Sequence, residues 1–148
     1  MCIKKLDQNK RDFMKKSLAL VFFSNAISFN IHSKEESSYI LNGPLAGNIY
    51  YTKNRPGRWS NILDSHVPEI IENNNILEIS TLHEMRGYEH YIIKHLVLDN
   101  KLNIISEKRF DPSKDAPVSR HNIAGYLDKV YILSVCNQHD TWLNSFDL

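Results

Sequence analysis

The sequence predicts an all-β sandwich that follows a short N-terminal segment of different character. Three observations carry that prediction. Short runs rich in β-branched and aromatic residues alternate apolar and polar positions, turn-forming residues punctuate them at close intervals, and no convincing helical pattern appears beyond residue 30.

The first element, residues 1–30, reads as an export signal. Lys4, Lys5, Lys10, Arg11, Lys15 and Lys16 make a basic start ahead of the apolar run Ser17 to Phe29. A bilayer needs roughly twenty apolar residues in a helix, and this run has roughly thirteen, so no stable membrane span is expected. Asn9-Lys10-Arg11-Asp12-Phe13-Met14-Lys15 resembles the twin-arginine signal, with Lys10 in place of the first arginine and Met14 in place of leucine. No clean Ala-x-Ala cleavage site follows. These features imply a periplasmic location. Removal of the signal would take Cys2 with it and leave Cys136 as the only thiol.

Residues 31–47 form a polar linker, and the folded domain is expected over 48–148. The stretch to Ser60 is rich in turn formers such as Asn42-Gly43-Pro44 and Arg55-Pro56-Gly57-Arg58, with one short strand expected around Ile49 to Thr52. Strands are then predicted over Asn75–Thr81, His90–Leu98, Leu102–Phe110 and Lys129–Val135, with a short last one from Trp142 to Phe146. Asp99-Asn100-Lys101 supplies a hairpin-like turn between the second and third of these.

Composition narrows the functional classes. A formal net charge of +1 gives no reason to expect nucleic acid or an anionic membrane as partner. Two cysteines at opposite ends of the chain exclude a disulfide framework and a four-cysteine metal site.

Cys136-Asn137-Gln138-His139 follows a predicted strand, where the chain must turn, and a thiolate and an imidazole at this spacing can reach one metal ion. Alone, the motif equally fits a buried structural cysteine followed by a surface histidine. Three more histidines add to it. His66 lies in Asp64-Ser65-His66-Val67-Pro68, and His83 and His90 flank the loop Glu84 to Glu89 between two predicted strands. Loops at one end of a sandwich converge in space, so these side chains can meet. His95, an odd number of residues after His90 on the same strand, is expected on the opposite face. His32 and His121 are expected to be solvent-exposed bystanders, and Tyr91 and Trp142 to be packing residues.

Taken together, His66-Val67-Pro68, the stretch His83, Met85, His90-Tyr91-Ile92, and Cys136-Asn137-x-His139-x-x-Trp142 resemble the iron-binding domain of the superoxide reductases, the desulfoferrodoxins and neelaredoxins. The resemblance covers roughly residues 48 to 148, and three motifs in the right order make it specific. Tyr50 to Trp59 also looks like what precedes the domain in exported members. The resemblance implies a seven-stranded immunoglobulin-like sandwich holding one non-haem iron that cycles between Fe2+ and Fe3+. Its equatorial ligands would be His66, His83, His90 and His139, and its axial ligand Cys136. The implied reaction is one-electron reduction of superoxide to hydrogen peroxide, with an electron-donor protein as partner and a homo-oligomer possible.

Several positions depart from the family pattern. His83-Glu84-Met85 lacks the usual proline, and the spacing to His90 is one residue longer, which Gly87 is expected to absorb. Asp64-Ser65 stands where a Glu-Lys pair is common, making Asp64 the candidate sixth ligand of the ferric state and Arg86 the candidate for steering superoxide. Asp140 replaces the usual glycine and is expected to place negative charge near an anion-binding site. The alternative reading is a non-enzymatic domain that carries zinc, copper or iron through the same ligands, or an immunoglobulin-like binding module.

Overall fold

Seven strands form between Glu69 and Asp147 in a computed structural model that describes residues 38–148. Residues 1–30, expected to be an export signal, lie outside the described residues, as do Cys2, His32 and the start of the expected linker. No helix among the described residues is long and apolar enough to cross a membrane.

The strands are β1 (Glu69–Asn73), β2 (Ile76–Ser80), β3 (Ile92–Leu98), β4 (Ile104–Arg109), β5 (Val118–Asn122), β6 (Lys129–Cys136) and β7 (Thr141–Asp147). They make two antiparallel sheets, one ordered β1-β2-β5 and the other β4-β3-β6-β7. Between them lies an apolar cluster of Leu77, Ile79, Val97, Ile123, Val130 and Ile132. Leu77 and Ile79 are fully buried while their neighbours on β2 are less so, the period-two signature of a strand with one face in a core.

Two strands escape the sequence reading, for different reasons. β1 is a mostly exposed edge strand, Glu-Ile-Ile-Glu-Asn, with little apolar pattern to detect. Its hairpin to β2 turns through Asn74 and Asn75, at φ 52° and 62°, the left-handed pair that suits asparagine in a tight hairpin. β5 is inverted: Ser119 and His121 face inward while Val118, Arg120 and Asn122 face out. Its pattern therefore reads as polar loop, and the expected exposure of His121 is wrong: the residue is 2% exposed.

Other boundaries shift. The strand expected at Ile49–Thr52 reduces to isolated bridges, in which Tyr51 pairs in parallel with Trp142 at the edge of β7. β6 extends to Cys136 itself, so the cysteine ends the strand, and β7 is a full strand of seven residues. His95 does lie outside the group formed by His66, His83, His90 and His139, but strand parity is not the reason. His90 precedes β3, and a bulge between Ile92 and Lys94 lets both Ile92 and His95 be buried.

Candidate metal centre

β2 and β6 lead toward the same end of the sandwich, and β3 and β7 start from it, so the loops that carry the predicted ligands meet there. The ligand atoms of His66, His83, His90, Cys136 and His139 all lie within 4.8 Å of one another.

Each side chain is placed by its own local structure. His66 closes a 3-10 turn over Leu63–Ser65. Its Nδ1 meets the Ile62 carbonyl at 3.0 Å and Ser65 Oγ at 2.8 Å. The carbonyl can only accept, so Nδ1 carries the proton and Nε2 presents a bare lone pair. His83 follows β2, its backbone N–H donating to the Thr81 carbonyl at 2.7 Å. His90 closes the 84–90 loop, its carbonyl accepting from Arg86 N at 2.8 Å, and Gly87 takes φ 58° at the tip. That left-handed backbone setting is one that glycine adopts without strain.

The Cys136–His139 turn is held from both sides. The Cys136 N–H donates to the Asp140 carbonyl at 2.9 Å, and the Gln138 N–H approaches Cys136 Sγ at 3.5 Å. Asn137 and Gln138 then fasten the neighbouring loop. Asn137 Oδ1 accepts from Tyr91 N at 2.9 Å, and Gln138 Nε2 donates to the Glu89 carbonyl at 2.6 Å. Asn137, part of the motif, and Gln138, read only as its spacer, hold the His90 loop against the cysteine turn.

The distances test the chemistry of the site. His66 Nε2 lies 3.0 Å from His139 Nδ1, which lies 2.9 Å from His90 Nε2, which lies 2.9 Å from His83 Nε2. Cys136 Sγ is 3.7 Å from both His83 Nε2 and His139 Nδ1. With metal–nitrogen bonds of about 2.1 Å, ligands at right angles are about 3.0 Å apart and tetrahedral ligands about 3.4 Å. The three nitrogen–nitrogen separations near 3.0 Å therefore match ligands at right angles and are shorter than a tetrahedral zinc site needs. Imidazole nitrogens with one thiolate suit iron, copper or zinc by donor type alone, and the right-angle spacing counts against tetrahedral zinc only.

Burial keeps the site ready for a cation. It pushes His66 down to about 4 and lowers His83 and His90, with the neighbouring imidazoles adding to the effect. These rings are neutral at pH 7, as ligands must be. Burial also raises the Cys136 thiol, so a metal has to displace that proton. His83 Nδ1 is buried and has no hydrogen-bond partner among the described residues.

The remaining predicted residues lie at the rim. Asp64 sits exposed in the turn before His66, outside the group of converging ligand atoms. Arg86 is exposed and pairs with Glu84, its Nε donating at 2.6 Å. Asp140 takes φ 62°, a backbone setting that favours glycine. Its carboxylate is not bare, because Arg58 Nη2 and Trp59 Nε1 bind it at 2.5 and 2.9 Å. The expected unbalanced negative charge is thus paired. Trp59 in turn stands edge-on to His139, ring centroids 4.8 Å apart. The Pro-Gly turn ahead of Trp59 was legible in the sequence, but its approach to His139 was not. Trp142 packs as expected, fully buried against Tyr51 and His66, and its Nε1 donates to the His139 carbonyl at 2.9 Å.

No protein-family model matches the chain, and no curated protein matches its sequence. Solved structures do. A one-iron superoxide reductase from Giardia intestinalis aligns over 57% of this chain and 99% of its own, with 22% identity and a TM-score of 0.52. The superoxide reductase (neelaredoxin) of Ignicoccus hospitalis aligns over 69% of this chain and 95% of its own, with 18% identity and a TM-score of 0.58. A single-residue variant of the latter scores 0.62 at the same identity. The chain therefore has the two-sheet sandwich fold of the superoxide reductases and carries at one end a four-histidine, one-cysteine group consistent with a non-haem iron centre of that kind.

Proposed function

We propose that this protein is a mononuclear non-haem iron superoxide reductase. The observation that carries the reading is the convergence of four imidazole nitrogens and one thiol sulfur within 4.8 Å, with three nitrogen–nitrogen separations near 3 Å. Iron held there would supply one electron to superoxide, which takes up two protons and leaves as hydrogen peroxide; a donor protein restores the electron.

The chain's own residues prepare this chemistry. Neutral imidazoles leave the cation's charge only partly cancelled by the thiolate, which suits an anionic substrate. The Gln138 N–H aimed at Cys136 Sγ favours the thiolate over the thiol. The Ile62 carbonyl holds His66 in the tautomer that presents Nε2. Arg86 is the proposed steering charge, acting over a distance despite its partner Glu84, and Asp64 is the proposed carboxylate ligand of the oxidised state. Export of residues 48–148 to the periplasm by a twin-arginine-like signal completes the reading, since that route carries folded proteins and lets iron bind before competing metals are met.

Iron content and an absorption spectrum of the oxidised protein test the proposal. One iron per chain with a visible thiolate-to-iron band is expected, as is superoxide reduction that Cys136→Ser and His83→Ala abolish. A colourless zinc protein, or variants that keep full activity, would overturn it.

A further inference from the structure

His95 and His121 are buried, take no part in the metal centre, and belong to one continuous polar chain. Ser106 Oγ meets His121 Nδ1 at 2.7 Å, and His121 Nε2 meets Ser119 Oγ at 2.8 Å. Ser119 Oγ meets His95 Nδ1 at 2.8 Å, His95 Nε2 meets Thr81 Oγ1 at 2.9 Å, and Thr81 Oγ1 meets Ser134 Oγ at 2.9 Å. With both imidazoles neutral, each of these five links receives one proton, in either direction along the chain. Burial holds His95 neutral, down to about 3.

The chain sits at a boundary. On one side is the apolar cluster around Leu77, Val97 and Ile132, and on the other a small cluster of Ile92, Phe110 and Cys136 with Met85 against it. His95 stands edge-on to Phe110, centroids 4.9 Å apart. A fully apolar layer would fill this space at less desolvation cost, so the polar atoms call for another explanation.

Its ends supply one. Thr81 follows β2 in one sheet, lies two residues before His83 and accepts that residue's backbone N–H through its carbonyl. Ser134 lies on β6 in the other sheet, two residues before Cys136, and both are buried. The Thr81–Ser134 hydrogen bond therefore ties together the two strands that deliver a histidine and the thiol, from opposite sheets. His95, paired in register with Ser134, adds β3 to the same knot.

We propose that this buried hydroxyl–imidazole chain, through the Thr81–Ser134 bond at one end, is a positioning device that sets the spacing of His83 from Cys136 for the metal. A hydrogen bond has one preferred length and direction, whereas apolar side chains slide past one another at little cost, so the bond fixes the gap between sheets where the ligand geometry depends on it. The proposal rests on the reading that His83 and Cys136 hold one metal.

Cobalt(II) titration of the full chain tests it, read by affinity and by the thiolate-to-cobalt band. Thr81→Val keeps the shape and removes the hydroxyl; Ser134→Ala removes the other partner with less disturbance. Both are expected to weaken cobalt binding by about 10-fold or more and to shift the band, as loss of outer-shell support does. Thr81→Ser, which restores the hydroxyl, is expected to recover most of the affinity. Val97→Ala, in the apolar cluster, is expected to lower Tm while leaving affinity and band unchanged. Wild-type affinity and band in both Thr81→Val and Ser134→Ala would overturn the positioning role. Failure of the wild-type chain to bind cobalt or iron would overturn the functional reading and this proposal together.

Discussion

His66, His83, His90 and His139 turn ring nitrogens toward one another, whereas His95 and His121 turn theirs toward hydroxyls. Burial does not distinguish the groups: His66 and His121 are each 2% exposed, and desolvation lowers both. Partners do. In the first group lone pairs converge at about 3 Å with no donor for each, an arrangement that a cation resolves. In the second, every ring nitrogen already has a hydroxyl partner, and nothing is left to bind a metal. Among buried histidines, the nitrogen that faces another imidazole rather than a hydroxyl marks the ligand.

The most severe way to break the contrast is to remove a converging ligand. His90→Ala should cost more than about 100-fold in iron affinity, above the range for outer-shell partners, with loss of the visible band. Competition with a chelator measures this. Wild-type affinity in that variant would place His90 with the bystanders.

Next in size is the hydroxyl-bound group. His95→Ala leaves a cavity and strands the Thr81 and Ser119 hydroxyls, and should destabilise the metal-free chain by about 3 kcal/mol in urea unfolding. A loss below about 1 kcal/mol would mean that the chain relaxes around the gap.

A third prediction concerns pH. Folding depresses the pKa values of His66, His83, His90, His95 and His121, so the unfolded chain takes up protons first there, and stability rises with pH across that window. The metal-free protein should hold its histidine contribution above the ordinary value of 6.5 and lose it as pH falls, through about 4 for His66 and toward about 3 for His95. By pH 3 the His95 share alone is on the order of 4 kcal/mol. Urea midpoints across pH 7 to 3 measure this, and His95→Gln should flatten the lower part of the curve. Cys136 runs the other way, because its raised pKa removes stability as pH climbs past 9.

The smallest expected effect lies at the rim. Arg86→Glu should slow reaction with superoxide a few-fold at low salt, and the difference should vanish at high ionic strength, where a field acting over a distance is screened. A salt-independent loss would point to direct contact instead.

Much of the ligand set was legible in one dimension because chemistry confines it. A Cys-x-x-His turn at the end of an apolar strand, and two histidines bracketing a loop between strands, are local patterns that need few assumptions about the rest of the chain. β2, β3 and β6 were equally legible, each showing an apolar face, and β4 was legible from the turn that precedes it. β1 and β5 were not, since an edge strand need not be apolar and β5 carries Ser119 and His121 where hydrophobic residues are expected. The His121 misreading has the same origin. Its polar neighbours suggested a loop, and only the opposite sheet, through Ser106, makes its position buried and satisfied.

The order of residues by itself determined which groups can ligate, that they lie at strand ends, and that turns at Gly87 and around Asn74 are permitted. Tertiary structure decided which lone pairs meet. It brought the Asp140 carboxylate onto Arg58 and Trp59, more than eighty positions earlier in the chain, and so paired a negative charge expected near the anion-binding site. It also joined Thr81 to Ser134 and thereby one sheet to the other. Periodicity records which face of a strand is buried. It carries no record of which residue of another strand lies across from it, because that depends on register and on the gap between sheets, which only the folded chain sets.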